Sequence, residues 1–238
     1  MVAVADIEGR KRAAAVRAAD WIENGMRVGL GTGSTIRHLL EHIAERRREG
    51  HLQNIVGIPT SNQTAVLAHK LEIPLGTLDD YPELDLTIDG ADEVDPNLGL
   101  IKGLGGALLR EKIVAAASSV FVVAVDDAKL VDRLGTRAPL PVEVDPFGVS
   151  VHLPFLLRLG AEPVLRLDAA GEIVRTDGGN YIIDCDFPTG IASPEAIQAQ
   201  LERRPGVLES GLFLDMATAV VVANSEEVRV LSRRTADE

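Results

Sequence analysis

The chain has 238 residues, 46% hydrophobic and 25% charged, with a formal net charge of −12; that is enough chain for a sizeable core in one large domain or two small ones. The acidic balance argues against a nucleic-acid partner, which would want a basic face; no apolar run is long enough to span a bilayer, and the N-terminal stretch lacks the order of a secretory signal. A single cysteine, Cys185, excludes an internal disulfide and a cysteine-only metal cluster, and these features together predict a cytoplasmic protein.

In chain order, the first pattern is helical, from about Asp6 to Asn24, and stops at the Asn24-Gly25 pair. MRVGLG reads as a short buried strand. STIRHLLEHIAERRREG reads as a helix with Ile36, Leu39, Leu40 and Ile43 on one face and Gly50 at its end. NIVGIPTS reads as a strand, NQTAVLAHKLE as a helix, LDLTIDGAD as a strand, GGALLREKIVAAASS as a helix and VFVVAVDD as a strand. This alternation predicts an α/β domain: a Rossmann-like, mostly parallel sheet with helices on both faces. Nearly continuous apolar strands such as FVVAV fit burial on two sides. After about Gly135 the pattern changes. LPVEVDPF, AEPVLRLD, NYIIDCDF and VLESGLFL read as strands, and SVHLPFLLRLG and SPEAIQAQLERRPG as helices. That order is βαββαβ, a ferredoxin-like α+β arrangement. A last strand, TAVVVAN, is placed to return to the first sheet. The small domain, 135–214, is therefore expected as an insertion into a catalytic domain formed by 1–134 and 215–238.

The loop in VGLGTGSTIRHLL joins a strand to a helix start through Gly29, Gly31 and Gly33. It fails the dinucleotide fingerprint, because the sixth position is Ser34 counted from Gly29 and Ile36 counted from Gly31. It fails the P-loop pattern for want of a lysine. The context still suits an anion, with helix N–H groups and the hydroxyls of Thr32, Ser34 and Thr35 as donors. The plainer alternative is a tight turn with Ser34 as N-cap. His38, Glu41 and His42 match the H-x-x-E-H zinc pattern, but histidines on a solvated helix flank are the commoner case.

DGADEVDPNLGL and the residues before it gather Asp85, Asp89, Asp92, Glu93 and Asp95. Val94 and Leu100 occupy the positions where a calcium loop needs Gly and Glu, so this is no EF-hand. The carboxylates fall at the predicted carboxyl end of a strand, where open α/β sheets place ligands. A second glycine turn follows in IKGLGGALLREK, with Lys102 before it and Glu111 in the helix after it; Lys129 lies past the next strand end. Taken singly, Glu111 and Lys129 read as solvated surface residues. Cys185, in a strand of the small domain, reads as a buried structural thiol.

In that order GLGTGST, DGADEVD, KGLGGALLREK and VDDAKLVDRLG, followed by LPVEV and TDGGNYIID, resemble ribose-5-phosphate isomerase of the A type over nearly the whole chain. The second turn departs from some relatives in having Leu104 where they have glycine. The resemblance implies interconversion of ribose 5-phosphate and ribulose 5-phosphate, with no metal or organic cofactor and with assembly as a homodimer or homotetramer. It makes Glu111 the proton-transferring base. It places Asp89, Gly90, Ala91 and Asp92 at the sugar hydroxyls, and Lys102, Gly103, Leu104, Gly105 and Lys129 in the rest of the substrate site. Thr32, Gly33, Ser34 and Thr35 would contact the substrate at its phosphate, and Lys11 sits where some relatives have a further phosphate-contacting lysine.

The residue types suit that chemistry. One carboxylate can take the proton from C2 and return one to C1 across one face of an enediolate, if partial burial raises its pKa toward neutrality. The enediolate oxygens need fixed donors, for which the Gly103–Gly106 backbone and the Lys102 ammonium are suited. Asp89 or Asp92 would relay protons between O1 and O2. The main rival is a non-catalytic sugar-phosphate-sensing domain of the same fold; another is a related deaminase or acyl-transfer enzyme. Glu111 and the uninterrupted DGADEVD and LREK blocks favour the isomerase.

Overall fold

The computed structural model describes residues 4–232. Its helices and strands, in chain order, are α1 (Val4–Ala18), β1 (Arg27–Leu30), α2 (Ser34–Arg48), β2 (Val56–Pro59), α3 (Asn62–Lys70), β3 (Leu84–Asp89), β4 (Glu93–Val94), β5 (Leu100–Ile101), α4 (Leu108–Ala116) and β6 (Ser118–Asp126). There follow β7 (Leu140–Val144), α5 (Leu153–Arg158), β8 (Glu162–Leu165), β9 (Tyr181–Asp186), α6 (Pro194–Glu202), β10 (Val207–Ser210), β11 (Leu212–Phe213), β12 (Ala219–Ala223) and β13 (Val228–Ser232). Two compact units result. One holds the described residues up to Ala91, then Arg110–Lys129 and the chain from Met216; the other holds Asp92–Leu109 and Leu130–Asp215.

The first unit is built on a six-stranded sheet in the order β2-β1-β3-β6-β12-β13. All neighbours are parallel except the edge pair β12–β13. Val28, Leu30, Leu86, Ile88, Val122 and Ala124 turn one face of the sheet into a core shared with Ala14, Ala15 and Ala18 of α1 and Ile36, Leu39, Leu40 and Ile43 of α2. On the alternate positions, Gly29 and Thr87 face Val114 of α4, so helices cover both faces. This is the α/β, Rossmann-like class. The chain steps from β1 outward to β2, then back across to β3. That reversal puts a crevice at the carboxyl ends of β1 and β3, the usual ligand position in such sheets.

The N-terminal helix is shorter than its pattern predicts. It gives way to a 3-10 turn at Ala19–Trp21, where Arg46 of α2 donates to the Ala19 carbonyl at 2.7 Å. The end is thus settled by a tertiary partner, not by the Asn24-Gly25 signal.

The second unit carries a four-stranded antiparallel sheet in the order β10-β7-β9-β8. With α5 and α6 this is the ferredoxin-like βαββαβ order. It also holds a three-stranded sheet, β11-β5-β4, absent from the sequence expectation. VLESGLFL, read there as one strand, is two strands in different sheets. Gly211 divides them, and a side chain on it would lie 2.2 Å from the Lys102 carbonyl oxygen. The division also differs from the expected 134/135 boundary, since 92–109 groups with the small unit. The cause is specific pairing: Leu212 with Ile101 and Phe213 with Leu100, and the fully buried Glu93, which accepts N–H groups of Gly135, Arg137 and Ala138 at 2.5, 2.5 and 2.8 Å.

Candidate active site

In the first unit, every parallel strand that feeds a helix delivers that helix start to the same edge of the sheet. The edge therefore collects the loop after β1, Asp89 at the end of β3, the first turn of α4 and Lys129 in the 3-10 turn Asp127–Lys129 after β6. Arg110 at the start of α4 donates to Asn62 at the start of α3 at 3.1 Å.

The three glycines in and after β1 do two different jobs. A Cβ on Gly29 would fall 1.9 Å from Thr87 Oγ1, and one on Gly31 would fall 2.0 Å from Asp89 Oδ1. These two make room for side chains of β3. Gly33, with φ of 111°, is the N-cap of α2 and needs glycine for its backbone. Ser34 is therefore the first helical residue and not the cap. The close approach allowed by Gly31 is used by a protein carboxylate: Asp89, 1% exposed, accepts the N–H groups of Thr32 at 3.0 Å and Gly90 at 2.7 Å.

Thr32 is also engaged through its hydroxyl, which lies 2.8 Å from Thr60 Oγ1, donates to Ser61 Oγ at 2.8 Å, and is 3.3 Å from Thr64 Oγ1. Thr64 in turn donates to the Gly31 carbonyl at 2.8 Å. This hydroxyl cluster braces the loop; the sequence reading missed Thr60, Ser61 and Thr64, although SNQT announced a helix cap at Ser61. Gly33 and Ser34 remain exposed and Thr35 half-buried, and the first-turn N–H groups of α2 have no intrahelical acceptor by construction.

An open cavity of about 440 Å3 adjoins this helix start, lined by Gly33, Ser34, Arg37, Gln63 and Thr64 over Ile36, Leu40 and Leu67, with Glu8 on its wall. Hydrogen bonds from Lys11 and then His38 pull the Glu8 pKa down to about 2. Lys11 is committed to Glu8 at 2.8 Å. His38 faces Glu8 and Glu41, while His42 faces Glu45. No group of three metal-ligating side chains occurs among the described residues.

Glu111 is 4% exposed and sits in the first turn of α4. One turn on, Val114 packs on Gly29, and its carbonyl accepts from Ser118 Oγ at 2.8 Å. The surface reading of Glu111 is thereby excluded. Lys129 is partly exposed.

The other candidates belong to the second unit. Asp92 donates its N–H to the Ile101 carbonyl at 2.8 Å and accepts the Leu104 N–H on Oδ2 at 3.0 Å. Lys102 is 3% exposed, with Nζ 5.5 Å from the Phe213 ring centre and its N–H on the Gly211 carbonyl at 2.9 Å. Gly103, at φ 108°, is closed to other residues because a Cβ would press on Leu108 at 2.8 Å. Leu104 and Gly105 are exposed. The chain passes between the units four times, at Ala91–Asp92 within DGAD, at Leu109–Arg110 within α4, at Lys129–Leu130 within VDDAKLVDRLG and at Asp215–Met216. Arg166 and Asp184 escaped the sequence reading. Glu93 was grouped there with the carboxylates at the ligand end of a strand, whereas its two oxygens are taken by the N–H groups of Gly135, Arg137 and Ala138.

A doubly wound sheet whose switch point carries an exposed helix start beside a buried carboxylate defines an α/β protein with a small-ligand crevice at its strand ends. The family model of ribose 5-phosphate isomerase A (phosphoriboisomerase A) matches residues 56–227. The ribose-5-phosphate isomerase A of Roseiflexus castenholzii is 55% identical over 218 residues, 92% of this chain and 93% of that protein. That of Gloeobacter violaceus is 53% identical over 228 residues, 95% and 97% of the two chains. Among solved structures, a D-ribose-5-phosphate isomerase in complex with phospho-erythronic acid aligns with a TM-score of 0.93 at 42% identity, over 95% of this chain and 99% of that one. The ribose 5-phosphate isomerase from Plasmodium falciparum aligns with a TM-score of 0.92 at 37% identity, over 96% and 100%. The chain belongs to the ribose 5-phosphate isomerase A family.

Proposed function

We propose a one-base enediolate route, carried by Glu111, for the interconversion of D-ribose 5-phosphate and D-ribulose 5-phosphate, the aldose–ketose isomerisation that family membership assigns to this chain. The observation that supports it is a carboxylate only 4% exposed in the first turn of α4, on the sheet edge that also holds Asp89 and the start of α2. Glu111 takes the proton from C2 of the open-chain aldose. The C2–H electron pair becomes the C1=C2 bond, and charge passes to O1. A proton moves from O2 to O1, the carbonyl re-forms at C2, and Glu111 returns its proton to C1. Lys102 and the turn N–H groups stabilise the enediolate, one fixed donor being worth roughly 3 kcal/mol of barrier. Asp89 and Asp92, with Gly90 and Ala91 between them, hold the sugar hydroxyls. The phosphate is taken by the exposed first turn of α2 at Ser34 and Thr35, with Thr32 as its brace and Lys129 completing the site.

The test is a coupled assay on ribose 5-phosphate. The wild-type chain turns over, and Glu111→Gln keeps its melting temperature and substrate affinity while losing turnover by at least about a thousandfold. Tight binding with no ribulose 5-phosphate formed by the wild type would instead identify a sensor. EDTA leaves the rate unchanged; loss with EDTA and recovery with zinc would return attention to His38 and His42. Assembly as a homodimer or homotetramer is supported by apolar residues left exposed on the small unit, Phe147 at 92% with Val151 and Leu157, and is read by light scattering on the eluted protein.

A further inference from the structure

The KGLGG turn is gripped from behind by a side chain that no part of the reaction above uses. Arg166 follows β8 directly, with its N–H on the Ile182 carbonyl at 2.8 Å. Its Nη1 donates to the carbonyl oxygens of Gly103 at 3.0 Å and Leu104 at 3.1 Å. Its Nε and Nη2 donate to the two carboxylate oxygens of Asp184 at 2.8 and 2.5 Å. The side chain is 12% exposed and that of Asp184 24%. A planar guanidinium fork is suited to this double task, a carboxylate on one edge and two carbonyls on another, which a lysine ammonium cannot reproduce.

Peptide planarity carries the consequence to the other side of the turn. In a trans peptide the C=O and the following N–H point in opposite directions. Holding the Gly103 and Leu104 oxygens therefore sets the directions of the Leu104 and Gly105 N–H groups. The Leu104 N–H meets Asp92 Oδ2 at 3.0 Å. The Gly105 N–H has no acceptor among the described residues. A cation on the oxygen side also polarises each peptide and strengthens its N–H as a donor. The chain of contacts runs from Asp184 through Arg166 and one peptide to Asp92, and through the next peptide to the Gly105 N–H.

We propose that Arg166, anchored by Asp184, is a positioning residue for the isomerisation: it orients and polarises the Gly103–Leu104 and Leu104–Gly105 peptides, so that Asp92 and the Gly105 N–H meet the enediolate in a fixed geometry. The proposal rests on the reading of the reaction given above. Because charge develops on O1 and O2 only as the proton leaves C2, a misaimed donor is felt in kcat and little in KM.

The experiment measures kcat, KM, melting temperature and affinity for phospho-erythronic acid, whose carboxylate stands in for the enediolate oxygens, in Arg166→Met, Arg166→Lys and Asp184→Asn. Arg166→Met is expected to lower kcat by about 10- to 100-fold with KM changed less than about threefold. Its affinity for the sugar-acid phosphate falls in step with kcat/KM. Arg166→Lys and Asp184→Asn fall between it and the wild type, with melting temperatures close to the wild type's. Wild-type kcat in a folded Arg166→Met overturns the proposal; if that variant does not fold, wild-type kcat in both Arg166→Lys and Asp184→Asn overturns it. Loss of kcat with unchanged affinity for the sugar-acid phosphate also overturns it. An inactive wild type, or an active Glu111→Gln, strikes the underlying reaction instead, so the two failures are told apart.

Discussion

Gly31 and Gly33 sit two residues apart in one loop and are glycine for unrelated reasons. Gly33 is set by its φ of 111° with open space where a Cβ would go, whereas Gly31 is set by a carboxylate 2.0 Å from that point. The sequence shows that the loop is glycine-rich and that it opens a helix; it does not show which glycine serves the backbone and which a neighbour 58 positions away. Gly31→Ala must displace Asp89 and its two N–H bonds, at a cost of about 1–3 kcal/mol of stability, with a loss of kcat/KM of at least about tenfold from the displaced carboxylate. Gly9→Ala, inside α1 with nothing within 4 Å, is the matched control and stabilises by up to about 1 kcal/mol. Urea unfolding and steady-state rates on the two variants check both. Glu111 shows the same limit in another form. Its neighbours Arg110 and Lys112 make it look like a surface glutamate, and only the packing of Val114 against β1 and β3 reveals that its side of α4 is covered.

Elements long enough to carry a period were legible, and two-residue strands were not. β6 and β12 are apolar runs bounded by turn signals, so burial on both faces could be read from composition; β3 shows instead the alternation of Leu84, Leu86 and Ile88 with polar residues. β4, β5 and β11 have two residues each, too few for any alternation; β4 pairs locally with β5, but β11 reaches β5 from more than a hundred positions away. Glu93 is the side chain that ties this small sheet to the 135–138 loop. Its three N–H contacts require a group that accepts on both oxygens, so Glu93→Gln turns an amide N–H toward a backbone N–H. The expected loss is about 1–3 kcal/mol in chemical denaturation, and Asp92, one residue before it, shifts enough to lower turnover. Unchanged stability in Glu93→Gln would show that the loop is held by its other contacts. Ser61→Ala is smaller: it removes the acceptor of the Thr64 N–H, 3.1 Å away, and costs about 1 kcal/mol.

At the scale of the whole molecule the change from βαβα to βαββαβ could be read in chain order, because each class has its own spacing of strands and helices. The extent of the second unit could not, since 92–109 joins it through pairing and through Glu93. Stability against acid belongs to this scale, and two groups in different units contribute to it. His152, 1% exposed in the second unit, has its pKa lowered from 6.5 by burial and then by the Arg204 charge. It is neutral in the folded chain, while the unfolded imidazole binds a proton. Its contribution is complete above about pH 6.5 and is lost as pH falls below it. Glu8, in the first unit, has its pKa lowered from 4.5 to about 2, so its contribution is present above 4.5 and is lost as pH falls toward 2. Its side chain is 38% exposed, so solvent screening makes this second loss the smaller one. The melting temperature is therefore expected to fall in two stages, the first beginning between about pH 7 and 5. His152→Gln, which keeps a neutral polar side chain, flattens the first stage, and Glu8→Gln flattens only the second. A first stage of unchanged slope in His152→Gln would mean that the buried imidazole takes up its proton at no cost to the fold.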